Sequence, residues 1–362
     1  MLRPWNKTRG QADKIVSALT LIDHLGQYGS NRKAVLKGTL LSGLASQQPQ
    51  AYEGIPTMVT PRELRMLDHF FAITSMKGPV LEIGCYLGGS TAAIGTGLAQ
   101  QTFKHRFYTI DAFHWDEPSF RNMHLLPDIE RLGGEKSLGA EIMADGNKGE
   151  WLRLFHHIHK NKKYSRFLAP VRYMLPSGSQ PFQLPAPIPT DAVFSGIFID
   201  GFKSWGVTYT AMLGLLPHVR QGTFLIFQDF SWFDCYWLPI LAEYWAGGAH
   251  QLMRVDNTVI FEVTNPSALL AAVKTFGPKP QQGQAHAYFD VLRRHATIQF
   301  HSGDEISFTN HLAQEYVFAH QMEMKDHAAA TFALLSPLCE HLGMQWLKNE
   351  LVTRSTFVIP AS

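Results

Sequence analysis

The segment Val80–Ile83 runs from a short apolar strand straight into the glycine-rich turn Gly84–Gly89 and then into a helical stretch, Ser90–Leu98. A strand, a tight turn and a helix in that order constrain a chain more than any single residue does, because the unit is completed by a parallel neighbour strand. The same alternation continues. Arg106–Ile110 is a second strand, Val171–Met174 a third, Val193–Ile199 a fourth and Thr223–Phe227 a fifth. Trp151–His159, Val207–Leu216 and Trp237–Trp245 read as helices between and after them, and Gln251–Arg254 and Thr258–Val263 as a closing strand pair about Asp256-Asn257. The expectation is a mostly parallel α/β sheet with helices on both faces. Ligands on such sheets bind beyond the carboxyl ends of the strands. Gly84, Asp111, Asp200 and Asp229 all fall at those ends.

Before this unit, Thr60-Pro61-Arg62-Glu63 predicts a helix start, with Thr60 as N-cap, Pro61 at N1 and Glu63 closing a capping box. Residues 1–58 read as a helical N-terminal extension, 59–263 as the α/β domain, and 264–362 as a mainly helical C-terminal region. In that last region Thr297–Phe300 and Ile306–Phe308 flank Ser302-Gly303-Asp304, which predicts a hairpin. Helices follow over about 310–326 and 328–350, the second kinked or broken at Pro337. No internal repeat is evident in the sequence.

The turn itself carries Glu82-x-Gly84-x-x-x-Gly88-Gly89-Ser90. It is not a dinucleotide G-x-G-x-x-G, since Tyr86 stands where the second glycine belongs, and no Gly-Lys-Ser/Thr makes it a phosphate loop. Taken alone it also fits a plain glycine-rich turn. The acid at the end of the next strand, Asp111, weighs toward a ligand, because a carboxylate there is placed to accept hydrogen bonds from ribose hydroxyls.

On these residues the chain resembles the class I S-adenosylmethionine-dependent methyltransferases, and the likeness covers about residues 60–263. Val193–Trp205, with Phe198-Ile199-Asp200-Gly201, and Phe224–Phe230 resemble segments of the small-molecule O-methyltransferases of the macrocin and cephalosporin-tailoring type. The resemblance implies a Rossmann-like class I methyltransferase sheet with helical extensions at both ends. It implies that S-adenosylmethionine is lined by Glu82, Gly84, Gly88 and Ser90, with its ribose on Asp111, and that Ser177 and Ser179 reach the adenine. Where that type keeps a histidine, this chain has Lys203, and Gln228 precedes Asp229. Asp200-x-x-Lys203 instead resembles the catechol type. That likeness implies Mg2+ on Asp200 and Asp229, with Gln228 as a further oxygen donor and Lys203 as the base. A cation near a lysine depresses its pKa and frees it to take a proton. The other reading is that the two aspartates cap helices and Lys203 is a solvated side chain.

Other features carry less. His156-His157-x-His159 reads as a solvated helix. Phe113-His114-Trp115 and Trp232–Trp237 read either as walls of an acceptor pocket or as packing, and nothing marks Cys85 as a nucleophile. Thirty-two Lys and Arg against thirty Asp and Glu give a net charge of +2, a near-neutral balance that gives no support to a nucleic-acid-binding face, though it leaves room for a local basic patch. Three scattered cysteines without a CxxC pair, no secretory leader and no long apolar run fit a cytoplasmic, non-membrane protein. The expected function is methylation of a small-molecule hydroxyl by a homo-oligomer. The alternatives are transfer to nitrogen or to a polysaccharide, or a non-catalytic binding module of the same fold.

Overall fold

The computed structural model describes residues 54–114, 126–131, 151–175 and 182–356. The helical extension expected before residue 54, and Ser177 and Ser179, lie outside the described residues.

The first described helix, α1 (Pro61–Ile73), begins as its sequence requires. The Thr60 hydroxyl accepts from the Glu63 N–H, and Glu63 accepts from the Thr60 N–H. Glu63 does a second job. Its Oε1 also accepts from the Asn257 N–H at 3.0 Å and the Thr258 hydroxyl at 2.8 Å, tying α1 to a turn almost two hundred residues away.

The sheet contains β1 (Val80–Ile83), β2 (Phe107–Asp111), β3 (Leu168–Arg172), β4 (Gly196–Ile199), β5 (Phe224–Phe227), β6 (Ala249–Val255) and β7 (Thr258–Val263). Its order is β3-β2-β1-β4-β5-β7-β6. The first five strands run parallel, and β7 lies antiparallel to both β5 and β6. The third strand begins earlier than expected, because Pro170 lies inside it. A proline lacks the N–H that a central strand needs, yet β3 is an edge strand, where the missing donor costs little.

Helices α2 (Gly89–Ala99), α3 (Leu126–Arg131), α4 (Leu152–His159), α5 (Trp205–Leu215) and α6 (Trp237–Tyr244) accompany the sheet among the described residues. The strands are mainly apolar, and the alternation of their side chains sorts them into two cores. Ile197, Ile199, Leu225, Phe227 and Phe261 face one layer, and Phe198, Phe224, Ile226 and Ile260 face the other.

The C-terminal region departs from the sequence expectation. After α7 (Pro266–Phe276) come α8 (Ala285–His301), α9 (Glu305–Gln321), α10 (Lys325–His341) and α11 (Gln345–Thr356). The predicted hairpin does not exist: Thr297–Phe300 ends α8, and Ile306–Phe308 begins α9. The helix starts are evenly spaced, so this region does repeat. Each connector has three residues, and its middle residue, Gly303, Glu323 or Gly343, is left-handed with φ of 74°, 59° or 68°. The next N–H then reaches back to close the helix: Asp304 to Gln299 O, Met324 to Ala319 O, Met344 to Cys339 O. These are successive Schellman stops. A left-handed glycine serves hairpins and helix ends alike, which is why Gly303 misleads. Pro337 lies inside α10 without ending it. The layer holding Ile199 and Phe227 continues unbroken to Tyr288, Phe318 and Leu347, so the repeats share the sheet's core. No helix among the described residues is long and apolar enough to cross a membrane.

Candidate functional site

The β1 turn is built to be tight. Gly84 has φ +84°, and a Cβ there would lie 2.9 Å from the Asp200 carbonyl, so the ends of β1 and β4 adjoin. Asp111, at the end of β2, holds the turn from beneath. Its Oδ2 accepts from the Cys85 and Tyr86 N–H groups at 3.0 and 2.9 Å, and its Oδ1 from the Phe113 N–H at 2.8 Å. Burial raises the Asp111 pKa, and these three bonds oppose the rise. A carboxylate offers about four lone-pair sites. Asp111 therefore has fewer free for a ribose than the sequence expectation supposed.

Glu82 and Ser90 also face each other rather than an open cleft. Glu82 is fully buried; its Oε1 accepts from the Ser90 hydroxyl and its Oε2 from the Thr91 hydroxyl, each at 2.6 Å. Burial pushes the Glu82 pKa up to about 8, against those bonds. The sign of the consequence is definite. Between about pH 4.5 and pH 8 the folded state holds a proton on Glu82 that the unfolded state has released, so this group makes stability fall as pH rises through that window. Glu82→Gln, which keeps the shape and cannot ionise, should flatten that fall. Denaturant midpoints at pH 5 and pH 8 measure it, and an equal slope in the two proteins would refute it.

The top of the turn is closed by residues that sequence reasoning missed. Gly88 has φ +95°, and a Cβ there would lie 2.1 Å from His159 Nε2 and 2.8 Å from the Phe155 ring. His159 is buried, not solvated. Its Nε2 faces the Leu87 carbonyl at 3.2 Å, so that nitrogen carries the proton, and Nδ1 accepts from the Tyr164 hydroxyl at 2.8 Å. Burial lowers its pKa to about 4, which keeps the ring neutral. Trp151 Nε1 donates to the Tyr86 carbonyl at 3.1 Å. Trp151, Phe155 and His159 stand four residues apart on one helical face, the signal that would have found them.

The second cluster lies at the ends of β4 and β5. The Lys203 ammonium donates to Asp200 Oδ1 at 2.7 Å and to Asp229 Oδ2. Asp229 sits in a left-handed turn with φ +64°. Ile199, Phe202, Phe227, Gln228 and Leu238 line the small cleft around the three. Burial pushes the Asp200 pKa up to about 7, with Lys203 pulling it down and Asp229 adding to the rise. Loss of water around the ammonium would lower the Lys203 pKa, but Asp200 and Asp229 outweigh that and hold it above lysine's ordinary range. More than half of the side chain remains exposed.

The structure thus brings Lys203, Asp200 and Asp229 together, as the sequence suggested, in a different relationship. The ammonium fills the space between the carboxylates where a divalent ion would sit, and no group of three or more His, Cys, Asp and Glu residues able to hold a metal occurs among the described residues. Asp200 and Asp229 are thus paired with Lys203 rather than left open to a Mg2+ ion. Nor does Lys203 have the depressed pKa of a free-amine base.

No family model matches the chain, and no curated protein matches it. Among solved structures it is similar to the O-methyltransferase NovP, at 14% identity and a TM-score of 0.38, covering 64% of this chain and 97% of that one. It is similar to the S-adenosylhomocysteine-bound Podospora anserina methyltransferase PaMTH1, at 12% identity and 0.34, covering 73% and 99%. A third is the C-terminal domain of precorrin-6Y C5,15-methyltransferase from Rhodobacter capsulatus, at 13% and 0.30, covering 60% and 96%. The strand order itself, with five parallel strands and β7 antiparallel beside β5, gives this chain a Rossmann-like α/β fold with a helical C-terminal extension.

Proposed function

We propose that the chain is an S-adenosylmethionine-dependent methyltransferase acting on a hydroxyl of a small molecule. The observation that carries this reading is the adjacency of two clusters on one sheet edge. The Gly84–Gly89 turn, pinned by Asp111, lies against the Asp200 backbone, whose side chain opens the Asp200–Lys203–Asp229 cluster. The turn carrying Gly84 and Gly88, beside Asp111, is where an adenosyl group would bind, and the bound cofactor would supply a methyl on a sulfonium. Glu82 and Ser90 support the turn from below.

The transfer is an in-line displacement, for which the protein supplies positioning and a home for the acceptor's proton. The cluster of one ammonium and two carboxylates carries one net negative charge. Asp200, with its pKa near 7, is the group able to take a proton at neutral pH, and the titration belongs to the coupled cluster rather than to one residue. Lys203 then acts as a donor that holds the acceptor oxygen while the carboxylates receive its proton. An O-methyltransferase needs that arrangement, since a hydroxyl must lose a proton as it gains a methyl.

Calorimetry with S-adenosylhomocysteine tests the cofactor half. The wild-type chain should bind it, and Asp111→Ala, which unpins the Cys85 and Tyr86 N–H groups, should bind about tenfold more weakly or worse, the equivalent of one to two hydrogen bonds. Absence of wild-type binding, or unchanged affinity in the variant, would reject the assignment.

A further inference from the structure

Gln314 lies on α9 in the C-terminal repeats and is completely buried. Its Nε2 donates to the Phe230 carbonyl at 3.1 Å and to the Trp232 carbonyl at 2.8 Å. A primary amide has two N–H donors, so both are used on the turn that follows Asp229. Its Oε1 must then face the remaining partner, His311 Nδ1, at 2.7 Å. That partner can only be the protonated nitrogen, so His311 Nε2 is the lone-pair side, and it accepts from Arg254 Nη2 at 3.1 Å. Each bond fixes the orientation of the next, from β6 through α9 to the turn.

The turn has reason to need a brace. Asp229 is a non-glycine residue in the left-handed region, a conformation that persists only where its surroundings impose it. From one side the β6–β7 turn grips it: the Phe230 N–H donates to the Asn257 carbonyl at 2.8 Å, and the Ser231 hydroxyl to Asn257 Oδ1 at 2.5 Å. From the other side the only side chain seen to bond the Phe230 and Trp232 carbonyls, among the described residues, is Gln314. The Arg254 guanidinium also lies over the Phe230 ring, 5.6 Å from its centroid.

We propose that Gln314, oriented by His311 and Arg254, is a positioning residue that holds the Asp229 turn in its left-handed form and so delivers the Asp229 carboxylate to Lys203. The helical repeats are thereby part of the site, although they add no group that touches the reacting atoms. The value of this brace to catalysis rests on the function proposed above; the brace itself is measured without turnover.

Cys235 provides the readout. It is buried three residues beyond Trp232, and its N–H donates to the Trp232 carbonyl at 2.8 Å. Cys85 and Cys339, also buried, lie in the β1 turn and on α10 and serve as internal controls. Full-length wild type, Gln314→Leu and the isosteric Gln314→Glu are treated with iodoacetamide under native conditions, and alkylation is followed peptide by peptide. Freeing the turn should speed Cys235 labelling at least about tenfold in Gln314→Leu, the fold-change matching loss of one to two hydrogen bonds. Cys85 and Cys339 should keep their wild-type rates. Gln314→Glu, which turns an oxygen toward the two carbonyls, should behave the same way and guards against a Leu variant that does not fold. Unchanged Cys235 in a folded variant overturns the proposal, as does a rise at all three cysteines together, which marks general destabilisation. If the turn is freed but the wild-type chain transfers no methyl group, the brace stands and the methyltransferase reading falls.

Discussion

Lys203→Met should slow methyl transfer by about 10²–10⁴-fold, the usual worth of positioned proton transfer, while S-adenosylhomocysteine still binds. The larger signature is in the pH profile. On the proposed mechanism the carboxylate cluster is deprotonated when it receives the acceptor's proton, so the rate should rise through about pH 7, where the cluster around Asp200 titrates. Lys203 lowers the Asp200 pKa through its charge and its hydrogen bond. Without it, the carboxyl holds its proton to higher pH, and the acid limb should move up. A free-amine lysine would predict something else: a limb that disappears with the residue. Rates across pH 5–9 for the two proteins decide between these. Wild-type turnover in the variant, or an acid limb that stays in place, would remove Lys203 and its carboxylates from the chemistry.

The largest stability effect should come from Glu63→Ala. Three donors, the Thr60 and Asn257 N–H groups and the Thr258 hydroxyl, point at this one buried carboxyl. Each buried donor left without a partner costs about 1–3 kcal/mol, so the variant should lose at least about 3 kcal/mol. Ordinary loss of a helix cap costs about 1 kcal/mol, which separates the two accounts. Glu63→Gln is the internal control. It keeps one oxygen for Asn257 and Thr258 and opposes an N–H to that of Thr60, so it should fall between wild type and alanine. Burial pushes the Glu63 pKa up to about 7, helped by the neighbouring Asp256 charge. The comparison is therefore cleanest below pH 6, where the carboxyl is neutral. An alanine variant within 1 kcal/mol of wild type in urea titrations would show that the link between α1 and the β6–β7 turn carries little of the fold.

What was legible in the sequence was local. The strand at Val80–Ile83, the glycine turn, the capping box at Thr60 and the aspartates that end β2 and precede the β4 and β5 loops each express a rule acting over a few residues. The sheet order follows from alternation of strands and helices, which survives errors at the boundaries. The relations between distant residues were not legible. That Asp111 spends its oxygens on the Cys85 and Tyr86 backbone, that Lys203 sits between two carboxylates, and that Gln314 grips the Asp229 turn are facts of tertiary placement, with partners up to eighty-odd residues apart. His159 was hidden for a different reason. Three neighbouring histidines look like one polar run, whereas helical geometry sends His159 inward with Phe155 and leaves His156 in solvent. The helical repeats were missed because their period lies in the stops and not in the side chains. Gly303, Glu323 and Gly343 share a backbone conformation without sharing an identity.

Those evenly spaced stops bear on how this end of the molecule can vary through descent. A stack in which each rung packs mainly on its neighbours tolerates gain or loss of whole rungs far better than of single residues, because a partial insertion rotates every later face out of register. The inner rungs are not equally free. α9 carries Gln314, so any length change before it would move the brace, whereas α11 meets the Asp229 turn through Trp346, whose ring stacks on Trp232. Loss of α11 would uncover the face of Trp232 on which Trp346 stacks while leaving the carboxylate cluster in place.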